Sequence, residues 1–343
     1  MLFLQQLVCM KILHAKSPCC RGRIIKYGNR RRQCIACKKT WRVRKKKSGK
    51  DKKRIDKNFV LRYLNREMVS LYTQAHRQEQ SERALRNRLK RSKTNFLNST
   101  PWPKLPVATP LLAIADAMIV TLNHIQYTFY FIMVREPGST KAIIVKPYCK
   151  LGAELANGWT AAFDQLPYVT KSSIIALICD GHRGLISVGQ RNGWLIQRCH
   201  FHLLAAIQGR RSRWIRSRHR ALGELIYKLA HEVLTNPDES KIVGALIRLK
   251  QIAFNTSSPT LRKILSGFVS YYEDYRTYLN HPELKLPITT NSAESLIGSV
   301  RDLCYRARGF RTLNSLTEWI EALLKNKRNI TCNGYDLPTK FRS

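Results

Sequence analysis

Residues 172–182 read Ser-Ser-Ile-Ile-Ala-Leu-Ile-Cys-Asp-Gly-His, an unbroken apolar run that ends on a carboxylate and a glycine. A short apolar run closed by turn residues reads as a buried strand, so Asp180 is delivered at a strand end. Nineteen residues further on, Cys199-His200-Phe201-His202 closes the next apolar run, GWLIQRC (193–199). A second carboxylate, Asp116, interrupts PLLAIADAMIV (110–120), and a third, Glu294, lies in TTNSAESLIGSVRDL (289–303). Acids are scarce here, 22 against 61 Lys plus Arg, so carboxylates placed on buried-looking strands call for a reason.

Outward from residue 180, residues 110–200 alternate in the α/β manner. LLAIADAMIVTL predicts a first strand, IQYTFYFIMVRE its hairpin partner and KAIIVKPY a third. GAELANGWTAAFDQL predicts an amphipathic helix, followed by the strand at 172–179, the helix HRGLISVGQRN and a fifth strand, WLIQRC. Residues 203–285 then read as helical and basic. After HPELKLPITT a helix starting near Asn291 carries Glu294, and a last helix is expected over about 314–327.

The formal net charge of +39 and pI near 10.3 point to a polyanionic partner, with nucleic acid the usual one. No apolar run reaches the ~18–20 residues of a membrane helix. The opening MLFLQQLVCMKIL lacks a basic n-region and a small-residue cleavage site, so it reads as a leading strand or helix. The length, 343 residues with 44% hydrophobic composition, allows two or three modules. Ten cysteines, four of them clustered near the start and the rest single, fit a reducing compartment.

Residues 12–45 predict a small β-rich module built on two cysteine knuckles, with RIIKYG and TWRVR as strands and a basic turn between. Cys34-Ile-Ala-Cys37 is half of a tetrahedral zinc site. The other half is irregular: Ser17 stands where Cys-x-x-Cys spacing asks for a cysteine, leaving Cys20 with either Cys19 or His14. About thirty residues are too few to fold on apolar burial alone, so the zinc ribbon expected here is structural. Between Arg21 and Arg54 stand seventeen Lys or Arg and one acid, Asp51. Residues 46–98 combine this basic linker with two helices, one with Met68, Leu71, Tyr72 and Ala75 on one face. Ser81 caps the second, with Leu85 and Leu89 inward and Arg83, Arg86, Arg88, Lys90 and Arg91 exposed. The pair resembles a DNA-binding helix-turn-helix. TPWPKLPVATP (100–110) marks the boundary to the next domain.

Phosphodiester chemistry at two divalent cations needs oxygen ligands around the scissile phosphate. Asp116 and Asp180 supply them if their strands are neighbours, and Glu294 closes the site from a helix. Asp116, Asp180 with Cys199-x-x-His202 downstream, and Glu294 in TTNSAESLIGSVRD resemble the acidic triad of DDE transposases. The likeness is to the Mutator-like group and its prokaryotic insertion-sequence relatives. The spacings are 64 residues (116 to 180) and 114 (180 to 294), and the longer gap is the helical stretch. The resemblance covers roughly 108–328. It implies a ribonuclease H-like catalytic core in two parts, 108–202 and 286–328, split by the helical insertion at 203–285. It also implies Mg²⁺ or Mn²⁺ on Asp116, Asp180 and Glu294, double-stranded DNA as partner, and a homodimer or higher oligomer on DNA. For a prokaryotic chain the location would be cytoplasmic and nucleoid-associated.

Cys199 and His202 are expected to support this site, and His182 to lie near the metal shell or in solvent at a helix start. Glu154 and Asp164 read as surface charges on a helix, and Asp302 as a neighbour two turns beyond Glu294. Arg301, Arg306, Arg308 and Arg311 are expected against the DNA backbone. Trp159 and Trp194 read as core and Trp214 as a DNA contact. Two other functions share these features: a DNA-binding regulator derived from a transposase, and a ribonuclease H-like nuclease that does not join strands.

Overall fold

The computed structural model describes residues 17, 19–28, 31–42, 58–68, 70–107, 109–214, 220–307 and 309–332, without the side chains of 209–214. His14, Trp214's side chain, Arg308 and the linker 43–57 therefore lie outside the described residues. The chain divides into two units, Met1–Asn58 and Phe59–Ser343.

The first unit is a three-stranded antiparallel sheet of β1 (Ile24–Lys26), β2 (Arg31–Cys34) and β3 (Thr40–Arg42). The basic segment expected as a turn is the central strand, pairing Ile24 with Cys34 on one side and Arg32 with Trp41 on the other. Two adjacent arginines open this strand and exposure falls along it to the buried Cys34, so charge density hid a strand.

The second unit is mixed α/β. Its sheet runs β10 (Asn329–Thr331), β6 (Lys141–Ile144), β5 (Ile125–Arg135), β4 (Leu111–Leu122), β8 (Ile174–Cys179), β9 (Leu195–Arg198), with β7 (Tyr148–Leu151) paired to β5. β4 and β5 form an eleven-pair antiparallel ladder closed by Asn123 and His124. Both turn residues have left-handed φ (48° and 64°), as a two-residue hairpin matching strand twist requires. β4, β8 and β9 run parallel. The single strand expected over KAIIVKPY is two, broken before Tyr148 by Pro147, which has no N–H for a ladder.

Helices cover both faces. Leu112, Ile114 and Met118 of β4 point into one cluster, with Leu296, Ile297 and Val300 of a helix over Asn291–Arg306. Leu111, Ala113 and Ala115 point into the other, with Trp159, Phe163 and Trp194, so the first two tryptophans are core. In chain order the helices are α1 (58–64), α2 (Leu71–Arg77), α3 (Glu82–Ser99), α4 (Ala156–Asp164), α5 (Tyr168–Ser172) and α6 (Arg183–Arg191). Then come α7 (His200–Trp214), α8 (Arg220–Thr235), α9 (Glu239–Asn255), α10 (Pro259–Ser270), α11 (Tyr272–Asn280), α12 (Asn291–Arg306) and α13 (Leu313–Lys327). Among the described residues, no helix is long and apolar enough to cross a membrane.

Ser81 caps α3, its Oγ accepting the Ala84 N–H at 3.2 Å, and Leu85 and Leu89 are buried. Met68 and Ala75 are buried too, but Met68 lies in the segment before α2 and not on it, and Tyr72 is 67% exposed, so of the expected face only Ala75 is buried within the helix. Rather than standing apart, α1 and α3 share the sheet's hydrophobic cluster through Phe59, Leu85, Leu89 and Phe96. Lys93 of α3, itself buried, pairs with Glu318 of α13.

α7 to α11 have a cluster of their own, including Leu204, Val233, Leu249, Leu265 and Phe268. Arg276 is fully buried inside it. Its guanidinium donates to the carbonyls of Val233 and Asn236, each at 2.6 Å, and Tyr278 Oη donates to Leu234 O at 2.8 Å. The carbonyls of Val233 and Leu234 are among the acceptors that the last turn of α8 leaves without helical partners, and Asn236 follows the helix directly. Arg276→Met keeps the volume but strips those carbonyls of charged donors. We expect a loss of about 2–4 kcal/mol in urea unfolding, against under about 1 kcal/mol for an exposed control such as Arg262→Met.

The bundle is fastened to the sheet at β9. Gln197 Oε1 accepts the Tyr278 N–H at 2.8 Å, its Nε2 donates to Tyr275 O at 3.1 Å, and Thr277 Oγ1 donates to Ile196 O. These bonds cover the edge strand that leads to Cys199.

Candidate active site

In the β4/β8 register Ile114 is level with Ile178. Asp116 and Asp180 each lie two residues further on, so both project to the same sheet face from adjacent parallel strands, which are spaced ~4.8 Å apart. α12 covers that face and brings Glu294 in its first turn. All three carboxylates thus meet at one end of the sheet.

Each acid is held locally. Asp116 Oδ1 accepts the Ala117 N–H at 2.7 Å. Asp180 Oδ1 accepts the His182 N–H at 2.9 Å across Gly181, whose φ of 103° strongly favours glycine. Thr290 Oγ1 donates to Glu294 Oε1 at 3.3 Å.

The electrostatics follow from the crowding. Burial, and next the charge of Asp180, push the Asp116 carboxyl up to about 7; Glu294 adds to the rise and His202 opposes it. His202 is the nearby cation, its Nδ1 3.6 Å from Glu294 Oε1. The adjacent Cys199 sulfur lifts His202 to about 9 against an opposing burial, with Glu294 and Asp180 contributing. The buried Cys199 sulfur also accepts the Thr290 N–H at 3.2 Å, at the residue just before α12. Cys199, His202 and Glu294 bring one ligand atom each within 4.8 Å of one another. The Cys-x-x-His pair therefore ties the start of α7 to the start of α12.

A fourth carboxylate belongs to this neighbourhood, which corrects its reading as a helical surface charge. Glu154 precedes α4, and its side chain is only 18% exposed. It accepts the Trp159 indole N–H at 2.8 Å and stands 3.1 Å from His182 Nδ1. Burial raises its carboxyl, and Asp180 raises it further. His182 accordingly faces Glu154 rather than open solvent. A glutamate among helix-forming residues gives no sign in sequence of the loop that turns it inward. Asp164 is the surface charge expected, exposed and paired with Lys171 at 2.7 Å.

The arginines divide. Arg83 and Arg86 are exposed on α3, and Arg86 pairs with Glu82 at 2.9 Å. Arg88 is half-buried, its guanidinium 4.7 Å above the Phe59 ring. Arg306 turns inward, donating to Asp302 at 2.8 Å and to Tyr63 O at 2.8 Å, so it braces α12 against α1 instead of facing outward. Asp302 is occupied by Arg306 and Arg66, away from the triad. Arg301 and Arg311 are exposed.

In the first unit the four thiols of Cys19, Cys20, Cys34 and Cys37 gather within 4.8 Å, a set that can hold one metal ion. Sγ separations are 3.1 Å for Cys19–Cys37 and 3.2 Å for Cys20–Cys34. Ser17 is buried beside them, its Oγ 3.4 Å from Cys19 Sγ, and supplies no metal-ligating thiol. Neither a family model nor a curated protein matches this chain.

Proposed function

We propose that the chain is a DDE-type transposase, cleaving DNA strands at the ends of a mobile element and joining them to target DNA. The observation that carries this reading is the convergence of Asp116, Asp180 and Glu294 on one sheet face beneath α12. The strand order supports a ribonuclease H-like core: a long antiparallel hairpin, then two parallel strands across β4, with the helical excursion entering between β9 and α12.

The donor set fits a hard divalent cation, being three carboxylates of which Asp116 binds its proton unusually tightly because it is buried and faces the charge of Asp180. Asp116, Asp180 and Glu294 would hold Mg²⁺ or Mn²⁺. Bound there, such ions would supply Lewis-acid activation of the attacking oxygen and charge neutralisation at the leaving one. Thr290 and His202 hold Glu294 in place, and the turn at Gly181 holds Asp180. The same reading assigns structural zinc to the four clustered cysteines, double-stranded DNA as the partner of the +39 chain, and assembly of two or more copies on DNA.

The test is incubation with Mn²⁺ and linear DNA carrying the repeats that flank the gene. Joined products are expected. Nicks without joining would make the protein a nuclease, and a mobility shift alone a regulator. Either result overturns the assignment.

A further inference from the structure

Beside Asp180 a cleft of about 760 Å³ opens between the sheet's end and the helical bundle. This lies within the ~300–1,000 Å³ of small-ligand pockets and is too confined for a duplex. Its walls carry three cations: Arg183 from α6, Arg198 from the end of β9 and Lys263 from α10. None of them has an ion-pair partner within 4.0 Å among the described residues. Asp274 lies close enough to Arg198 to feel its charge, and Asp180 and His202 complete the charged lining.

Arg198 is the best-built of the three. Its guanidinium lies 4.7 Å from the centre of the Tyr275 ring and 5.5 Å from that of Tyr271. On another side it meets Gly181, where a Cβ would come within 2.5 Å of its terminal nitrogen. Its Nε is shut off from solvent and has no hydrogen-bond partner. Tyr271, by contrast, is 52% exposed at the cleft wall. Gly267 leaves an opening there, since a Cβ at that position would meet nothing within 4 Å.

Unpaired cations beside an open aromatic face recognise two parts of one ligand, a phosphate and a π-faced base. A base offers its face only when it has left the duplex stack. We propose that this cleft takes an unstacked nucleotide of the DNA strand lying across Asp180, with its base on Tyr271 and its phosphate on Arg198 and Lys263. The inference rests on the strand-cleavage reading for its placement, and it identifies the local substrate as single-stranded. A free inorganic anion would leave Tyr271 unused.

The test uses the full chain without divalent metal, and single-stranded DNA containing 5-iodouracil against the duplex of the same sequence. Raised salt suppresses the unspecific attraction of so basic a chain. Photo-crosslinks to Tyr271 are expected from the single strand. Gly267→Glu places a carboxylate in the opening without a clash, on a helix where glycine is itself unfavourable. It and Tyr271→Ala should each weaken single-strand binding about tenfold and change duplex binding far less. Unchanged single-strand affinity in both variants, or crosslinks confined to other segments, overturns the proposal. So does competition by inorganic phosphate equal to that by a mononucleotide. A chain that crosslinks here yet never cuts DNA sinks only the cleavage reading. One that cuts but ignores both variants sinks only the cleft.

Discussion

Asp180→Asn is expected to lower Mn²⁺-dependent strand cleavage by about 10³-fold or more, with duplex binding nearly unchanged. Asparagine keeps the Oδ1 that accepts the His182 N–H, so the turn at Gly181 survives and only the charge is lost. A second readout separates ligand from scaffold. Asp116 normally titrates near 3.8 but here near 7, so the folded protein holds that proton more tightly than the unfolded chain. Its effect on stability is therefore largest in favour of folding below about 4, declines as pH rises through about 7, and stays low above it. His202, raised from 6.5 to about 9, acts in the same sense: its contribution is intact below 6.5 and is lost as pH rises through about 9. The metal-free protein should thus melt progressively lower between pH 4 and 9 from these two groups. Mg²⁺ should raise the melting temperature at pH 8 and hardly at pH 5, where Asp116 keeps its proton. In metal-free Asp180→Asn, removing one repelling charge should raise stability at pH 8 by on the order of 1 kcal/mol. A destabilised variant that also loses DNA binding would mean that Asp180 is structural.

Stripping zinc should unfold the first unit and leave the second intact. Of its described residues only Cys34 and Ser17 are buried, while Ile25, Tyr27 and Ile35 are 42%, 51% and 43% exposed. With so little buried among the described residues, strands of three, four and three residues would, on the zinc reading, owe their fold to the metal, at an apparent ~10–16 kcal/mol for sites of this kind. Cys34→Ser, or a chelator, should abolish amide protection over 19–42 in hydrogen exchange and release one zinc per chain. Protection that outlasts zinc loss would refute the structural-metal assignment.

Much of the core was readable because its signals are local. LLAIADAMIVTL and SSIIALIC are uninterrupted apolar strands, Ser81 caps a helix by its own hydroxyl, and Asn291 starts α12 where a proline-marked break ends. The gathering of Asp116, Asp180 and Glu294 was inferable only as a set, since strand register and the helix overhead depend on distant pairing. What escaped was set by tertiary contact. Glu154 is drawn in by Trp159 and His182 and Arg306 by Asp302 and Tyr63, while Tyr72 stays exposed. β10, three residues long, is too short to show a period and exists because β6 offers it an edge.

The bond from the Thr290 N–H to the Cys199 sulfur joins residues 91 apart in sequence. A neighbouring bond, from the His200 N–H to Ile288 O at 2.9 Å, joins the same two points. The helical excursion therefore leaves the sheet and returns to it at a single doorway. Its length does not register at the carboxylates, because its ends are held together by the host rather than by the excursion. Such a detour can lengthen, shrink or be exchanged for another bundle, provided that some segment still covers β9.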